Sequence, residues 1–281
     1  MSFSTKPLIL LNILTSITNA FPAKPSRASS TCGQVIEGAG TFMKSATFTF
    51  PGTTLPSGLI ATDNQLVSDQ DQDPPAPYNH IFEAENVFVK DGYLNIKVPG
   101  AQNPASAPNQ AVSSGEVFTE VDDILYASVR THAIFSTVPG TCQSSFFYKT
   151  DSQEIDIEFI SDPTSQSNQD GVADIHYTNQ AIDGSPDDKS WTPQVPPNDL
   201  GTVVHEYRID WTADFTAFYV DGVQKQKYTT NVPSQAGAWL WNNWSNGDEG
   251  WTVGPPKQDS MYKIQKIEMY YNTTGKVTGC A

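Results

Sequence analysis

The chain has 281 residues, of which 38% are apolar and 11% aromatic, with 16 Lys and Arg against 31 Asp and Glu for a formal net charge of −15. The aromatic content excludes a disordered chain, and the lack of a short repeat excludes collagen-like and coiled-coil chains. So acidic a surface repels phosphate backbones and anionic lipid, which sets aside nucleic-acid and membrane partners; six Trp suit a neutral ligand that stacks on rings.

Residues 1–20 read as a secretory signal peptide. Lys6 precedes the apolar run Leu8–Leu14, and Thr18-Asn19-Ala20 offers small residues at the two positions a signal peptidase reads. The run is too short to span a bilayer. Its removal takes away Lys6 and leaves 15 basic and 31 acidic residues, a net charge of −16. An extracellular protein is expected. Residues 21–31 are rich in Pro and Ser and read as a disordered leader, so the expected single domain is 32–281. In an oxidising compartment two of the three cysteines would pair. Cys32 with Cys280 is the expected disulfide, because domain termini often lie close together, and a bridge to Cys142 stays open. Three Cys and four His argue against a zinc cluster, and no metal ligands are expected.

From there the punctuation is all-β. Thr47–Phe50 ends at Pro51-Gly52; Val87–Val89 and Tyr93–Val98 flank the hairpin step Asp91-Gly92; Phe218–Val220 and Val223 flank Asp221-Gly222. Residues 63–79 and 183–200 read as long loops, the second carrying Trp191, which either pins its loop or closes over a ligand. Residues 257–268 suit a short helix or a strand. No repeat or linker divides the chain, so one β-sandwich is expected.

The segment Gln153–Ile160 alternates with period two. On a strand this puts Glu154, Asp156 and Glu158 on one face and Ile155, Ile157 and Phe159 on the other. Residues four apart on a strand sit about 13 Å apart at the backbone. A retaining glycosidase needs its two carboxyl groups about 5 Å apart, a gap that two glutamates leaning inward can close. Repulsion and burial within such a trio raise the pKa of at least one acid, which is how one group stays a proton donor while another stays anionic.

Glu154-Ile155-Asp156-Ile157-Glu158 resembles the signature of glycoside hydrolase family 16. The segments Asn86–Leu94, Ser113–Val117, Val129-Arg130, Ser144–Phe147, His205–Trp211 and Phe218–Gly222 are similar to strands of that family in the same order. The resemblance covers about residues 80–270. It implies a β-jelly roll of two curved antiparallel sheets, the architecture of concanavalin A-like lectins and glucanases. It also implies cleavage of internal β-glucan bonds with retention of configuration, with Glu154 as nucleophile, Asp156 assisting it and Glu158 as general acid/base. The regular five-residue signature goes with mixed-linkage, xyloglucan and transglycosylase relatives, whereas Asp174-Ile175-His176-Tyr177 resembles the β-1,3-glucanase pattern. The linkage is therefore open between β-1,3 and β-1,3-1,4. A wall transglycosylase and a non-catalytic lectin are the alternatives.

By the same resemblance Asn242 and Trp244 face the sugar, leaving Trp239 and Trp241 in the core and the Asn243 sequon inward. His176 is either a cleft residue or a hydrogen-bonded structural one, with Tyr177 as fallback on the opposite face. Arg130 either orients the nucleophile or lies on the surface. Trp211 and Tyr207 are expected in the core. The expected partner is a β-glucan polysaccharide and the expected state a monomer. No cofactor is expected; relatives sometimes carry a structural calcium, for which no ligand set stands out here.

Overall fold

The computed structural model describes residues 33–275, so the expected signal peptide, the leader, Cys32 and Cys280 lie outside the described residues. Two large sheets stack face to face in a jelly roll. The first runs, edge to edge, Ser190–Gln194, Ile175–Asn179, Gln153–Ile160, Cys142–Thr150, Ala238–Trp244, Ala111–Thr119, Asn79–Phe82 and Gln65–Val67. The second runs Val223–Tyr228, Thr216–Val220, His205–Trp211, Ile124–Ile134, Ser260–Thr273, Tyr93–Val98 and Val87–Lys90. Leu59–Ala61 adds to the first sheet and Lys44–Thr49 to the second. Among the described residues every strand pairing is antiparallel except that of Asn79–Phe82 with Ala111–Thr119.

Local chemistry explains the hairpins. Asp91 and Gly92 both have positive φ, 55° and 82°, as do Asp221 and Gly222, 51° and 77°. Such turns match the right-handed twist of the strands they join. Tertiary pairing explains where the sequence pattern misleads. Both expected loops contain short strands, Gln65–Val67 and Ser190–Gln194, each at an edge of the first sheet. Pro193 is accepted because an edge strand can turn its missing donor away from the ladder. Residues 257–268 fall largely within the 14-residue strand Ser260–Thr273, not a helix.

The core lies between the sheets. Ile155, Ile157, Phe159, Phe147, Trp239 and Trp241 descend from the first sheet to meet Val129, Tyr207, Ile209, Trp211 and Tyr262 from the second. The Phe147 and Trp211 rings pack tilted against each other, with centroids 4.1 Å apart. Buried indoles need acceptors: Trp241 Nε1 donates to Thr131 Oγ1 of the opposite sheet at 2.9 Å, and Trp211 Nε1 donates to the Pro233 carbonyl at 2.9 Å.

Asn243 belongs to this interior. It is fully buried, and Nδ2 donates to the carbonyls of Ile96 and Ser260 at 3.0 and 3.1 Å. A glycan on that nitrogen would displace both bonds, so intact-mass analysis of protein expressed through a glycosylating secretory host should find this sequon unmodified. Asn243→Ala should destabilise by about 2–4 kcal/mol in chemical denaturation, since two buried carbonyls lose their donor.

Candidate active site

Strand register assembles the site. Glu158 stands opposite His176 on one side and Ser144 on the other; Ser144 stands opposite Asn242, and Asn242 opposite Glu116. These five residues therefore form one row across five strands, on the sheet face away from the core. At about 4.8 Å per strand the row spans roughly 19 Å. A second row places Asp156 between Phe146 and Thr178, and Tyr148 stands opposite Glu154. Glu154, Asp156 and Glu158 all line a single cavity of about 640 Å³.

Few cations reach that cavity, so its acids crowd rather than pair. Burial pushes all three carboxyls of the trio above their ordinary range, and their mutual repulsion adds to this for Glu154 and Asp156. Asp156 is the deepest, at 2% exposure. It hydrogen-bonds Glu154 in the sense that favours the Glu154 anion and the Asp156 acid, and Gln180 Nε2 donates to its Oδ2 at 3.2 Å. That bond favours a proton on Asp156 over one on Glu154. Glu158 accepts from Ser144 Oγ and Cys142 Sγ, and the positive charge of Lys189 also favours its anion.

A fourth acid, Glu116, closes the row. Burial raises its pKa to about 7, against hydrogen bonds from Thr62 Oγ1 at 2.8 Å and Asn242 Nδ2 at 3.4 Å. Asn242 Oδ1 is buried without a partner. With Glu116 protonated, a half-turn of the Asn242 amide lets the carboxyl donate to that oxygen, with Nδ2 taking the place where Oδ1 stood.

The two ends of the cavity differ. At one, the His80 ring stacks on Trp244 with centroids 4.7 Å apart, and Asp69 Oδ2 holds His80 Nδ1 at 2.6 Å. At the other, Lys189 Nζ sits 5.6 Å from the Trp191 ring and 5.8 Å from that of Trp251.

Asn242 and Trp244 line the cavity with the trio, while Trp239, Trp241, Trp211 and Tyr207 are buried in the core. His176 shares the face of Glu158 but is fully covered. Trp191 Nε1 donates to its Nδ1 at 3.0 Å and Asn168 Oδ1 accepts from Nε2 at 2.9 Å, while burial, then Lys189, drives its pKa down to about 3. It is an uncharged support of the wall and does not line the cavity. Trp191 is the other half of that support.

Two expected residues lie elsewhere. Tyr177 is in the core against Phe218, as alternation with His176 requires, and is removed from the candidate binding set. Arg130 is on the second sheet, facing away from the core, where it bonds Ser128 Oγ and lies over the Tyr270 ring. The whole sandwich separates it from the trio, so it does not orient Glu154.

Glu116, His80, Lys189 and Cys142 were not picked out as site residues by sequence. Glu116 lies within a segment already matched to an early strand, and period-two facing in Ser113–Val117 was the available signal. The others reach the cavity only through pairing across the sheet and loop closure.

A jelly roll whose open sheet face carries a row of carboxyl groups in a groove is the framework of a glycoside hydrolase. The family described as "Glycosyl hydrolases family 16" matches residues 75–254, and the chain belongs to that family. It is 29% identical over 181 residues to a beta-glucanase of Paenibacillus polymyxa, covering 62% of this chain and 68% of that one. It is 33% identical over 115 residues to a beta-glucanase of Paenibacillus macerans, covering 38% and 44%. The fold is similar to that of an endo-beta-1,3-glucanase from Pyrococcus furiosus, at 15% identity and TM-score 0.62, covering 83% of this chain and 95% of that one. A lichenase from a mouse hindgut metagenome is similar at 20% identity and TM-score 0.58, covering 82% and 99%.

Glu116 offers a stability test. Its proton is held up to about pH 7 in the fold but only to its ordinary 4.5 when unfolded. The raised value favours the fold fully below about pH 4.5, and that contribution is lost as pH rises through about 7. Glu116→Gln, which can still donate to Asn242 Oδ1, should remove this slope. Thermal unfolding should show the variant gaining roughly 1–3 kcal/mol on the parent between about pH 4 and pH 8. Parallel curves would contradict a buried, proton-holding Glu116.

Proposed function

We propose that this family 16 hydrolase is a secreted, retaining endo-β-glucanase acting on β-1,3 or mixed β-1,3-1,4 linkages. The observation that carries the reading is the shared cavity of Glu154, Asp156 and Glu158. Glu154, relieved of repulsion by a proton on Asp156, attacks the anomeric carbon. As the glycosidic C–O bond breaks, Glu158 gives its proton to the leaving oxygen. Glu158, now anionic, takes a proton from water, whose oxygen displaces Glu154 and restores the anion. Carboxyl groups supply acid, base and nucleophile, so the reaction calls for no cofactor.

The glucan assignment is supported by the two Paenibacillus relatives, both beta-glucanases. It is also supported by the cavity itself. Trp244 and Trp251 offer faces for sugar C–H surfaces, Asn242, Gln180 and Asn246 offer amides for hydroxyls, and the surplus of carboxyls disfavours anionic polysaccharides. Secretion rests on the signal sequence of residues 1–20.

Laminarin, lichenan, xyloglucan and chitin oligomers, offered with and without a labelled acceptor sugar, test the proposal. New reducing ends from laminarin or lichenan are expected. Label incorporation without them would show a transglycosylase, and binding without turnover a lectin. Glu154→Gln and Glu158→Gln should each lower kcat by about 10²–10⁴-fold with the circular dichroism spectrum unchanged, and Asp156→Asn by less.

A further inference from the structure

We propose that Cys142 is a positioning residue that sets the proton affinity of Glu158 through a deliberately weak hydrogen bond. The inference rests on the role assigned to Glu158 above. Cys142 opens the strand Cys142–Thr150, opposite Trp244 and two residues from Ser144, so its side chain shares the face of the carboxylate row. It is a free thiol with no exposure. Sγ lies 3.3 Å from Glu158 Oε1, the same oxygen that Ser144 Oγ approaches at 3.5 Å, and Sγ and Ser144 Oγ are 3.4 Å apart. The Trp251 side chain hydrogen-bonds the thiol in turn.

Burial and the neighbouring Glu158 charge push the thiol's own pKa well up, so it remains protonated and acts toward Glu158 only as a donor. A thiol is a weak donor. It steadies the Glu158 anion that forms after the leaving oxygen is protonated, without binding that anion so firmly that the resting acid loses its proton.

Other groups also act on Glu158. On its own strand the Glu158 charge opposes ionisation of Glu154 and Asp156, while for Glu158 itself burial opposes the anion and Lys189, from the loop ahead of Ser190–Gln194, favours it. His176, its partner on the next strand, is uncharged, and Asp248 lines the same cavity from the loop that carries Trp251. The Cys142 contact is the one of these that a single near-isosteric substitution can strengthen or abolish.

Cys142→Ser and Cys142→Ala make the test, read from the alkaline limb of the kcat/KM–pH profile. Alanine, which removes the donor, should move the limb up by about half a pH unit, and serine, a stronger donor, should move it down by a similar amount. A packing defect would lower thermal stability in both variants without opposite shifts of the limb. A carboxyl 13C titration of Glu158 in the same proteins reads its midpoint without turnover. Shifted midpoints with no hydrolysis would fault the proposed reaction and leave the contact standing. Midpoints that stay fixed, or that move in the same direction in both variants, would overturn the role of Cys142.

Discussion

The alternation along Gln153–Ile160 governs the molecule. Ile155, Ile157 and Phe159 are each 1% exposed or less, and burying such side chains contributes roughly 1.5–3 kcal/mol apiece. That gain fixes which face of the strand meets the core. The intervening Glu154, Asp156 and Glu158 have no choice but the other face, although Asp156 in particular is poorly hydrated there. A one-residue slip would exchange the two sets, placing carboxyls between the sheets and aliphatics in the groove. The position of the acids is therefore enforced by hydrophobic packing, which is far more rigid than any contact the acids make themselves.

What the core imposes, the groove must accommodate. Elsewhere carboxylates meet cations: Arg208 pairs with Asp210, and Lys266 with Glu268 at 2.9 Å. In the groove the trio and Glu116 have mostly neutral donors, namely Gln180, Ser144, Cys142, Thr62 and Asn242. Lys189 is held back over two indole rings instead of being salt-bridged to an acid. Direct ion pairs would have lowered every carboxyl pKa and removed the proton donor that the proposed reaction uses. Neutral donors leave the protons near the boundary of release, at some cost in stability, which is the usual sign of a site shaped for chemistry.

Local sequence carried the parts of this design that are set by neighbouring residues. Period-two facing identified the trio and separated Ile155, Ile157 and Phe159 from it, and the Asp-Gly steps marked two hairpins. The facing of Asn242 and Trp244, with Trp239 and Trp241 inward, came from alternation combined with the family resemblance. Arg130 shows where local pattern stops. Its strand alternates as well as any other, but nothing in Ile124–Ile134 says to which sheet it belongs, and the wrong sheet puts the guanidinium on the far side of the core. Ser190–Gln194 was hidden because Pro193 and its Asp-rich approach carry loop chemistry, while its strand character comes only from pairing with Ile175–Asn179. His80 and Lys189 come to the cavity from segments far from the signature, so neither spacing nor composition ties them to it.

The direction of the carboxylate row bears on how a long ligand would lie. The trio runs along a strand, but the row His176, Glu158, Ser144, Asn242, Glu116 runs across five. A sugar chain following a strand would meet alternate side chains from one segment. One crossing the strands meets a new segment at every step of about 4.8 Å. Crossing also carries it past the Glu154–Glu158 pair at right angles to their separation, so that the two acids can reach opposite sides of one glycosidic bond, as the double displacement demands. The aromatic and amide groups at Trp244 and Trp251 then fall on either side of the bond being cut. Under the proposed function, the antiparallel ladder does more than hold the acids: its pitch sets the spacing of the contacts that seat the chain.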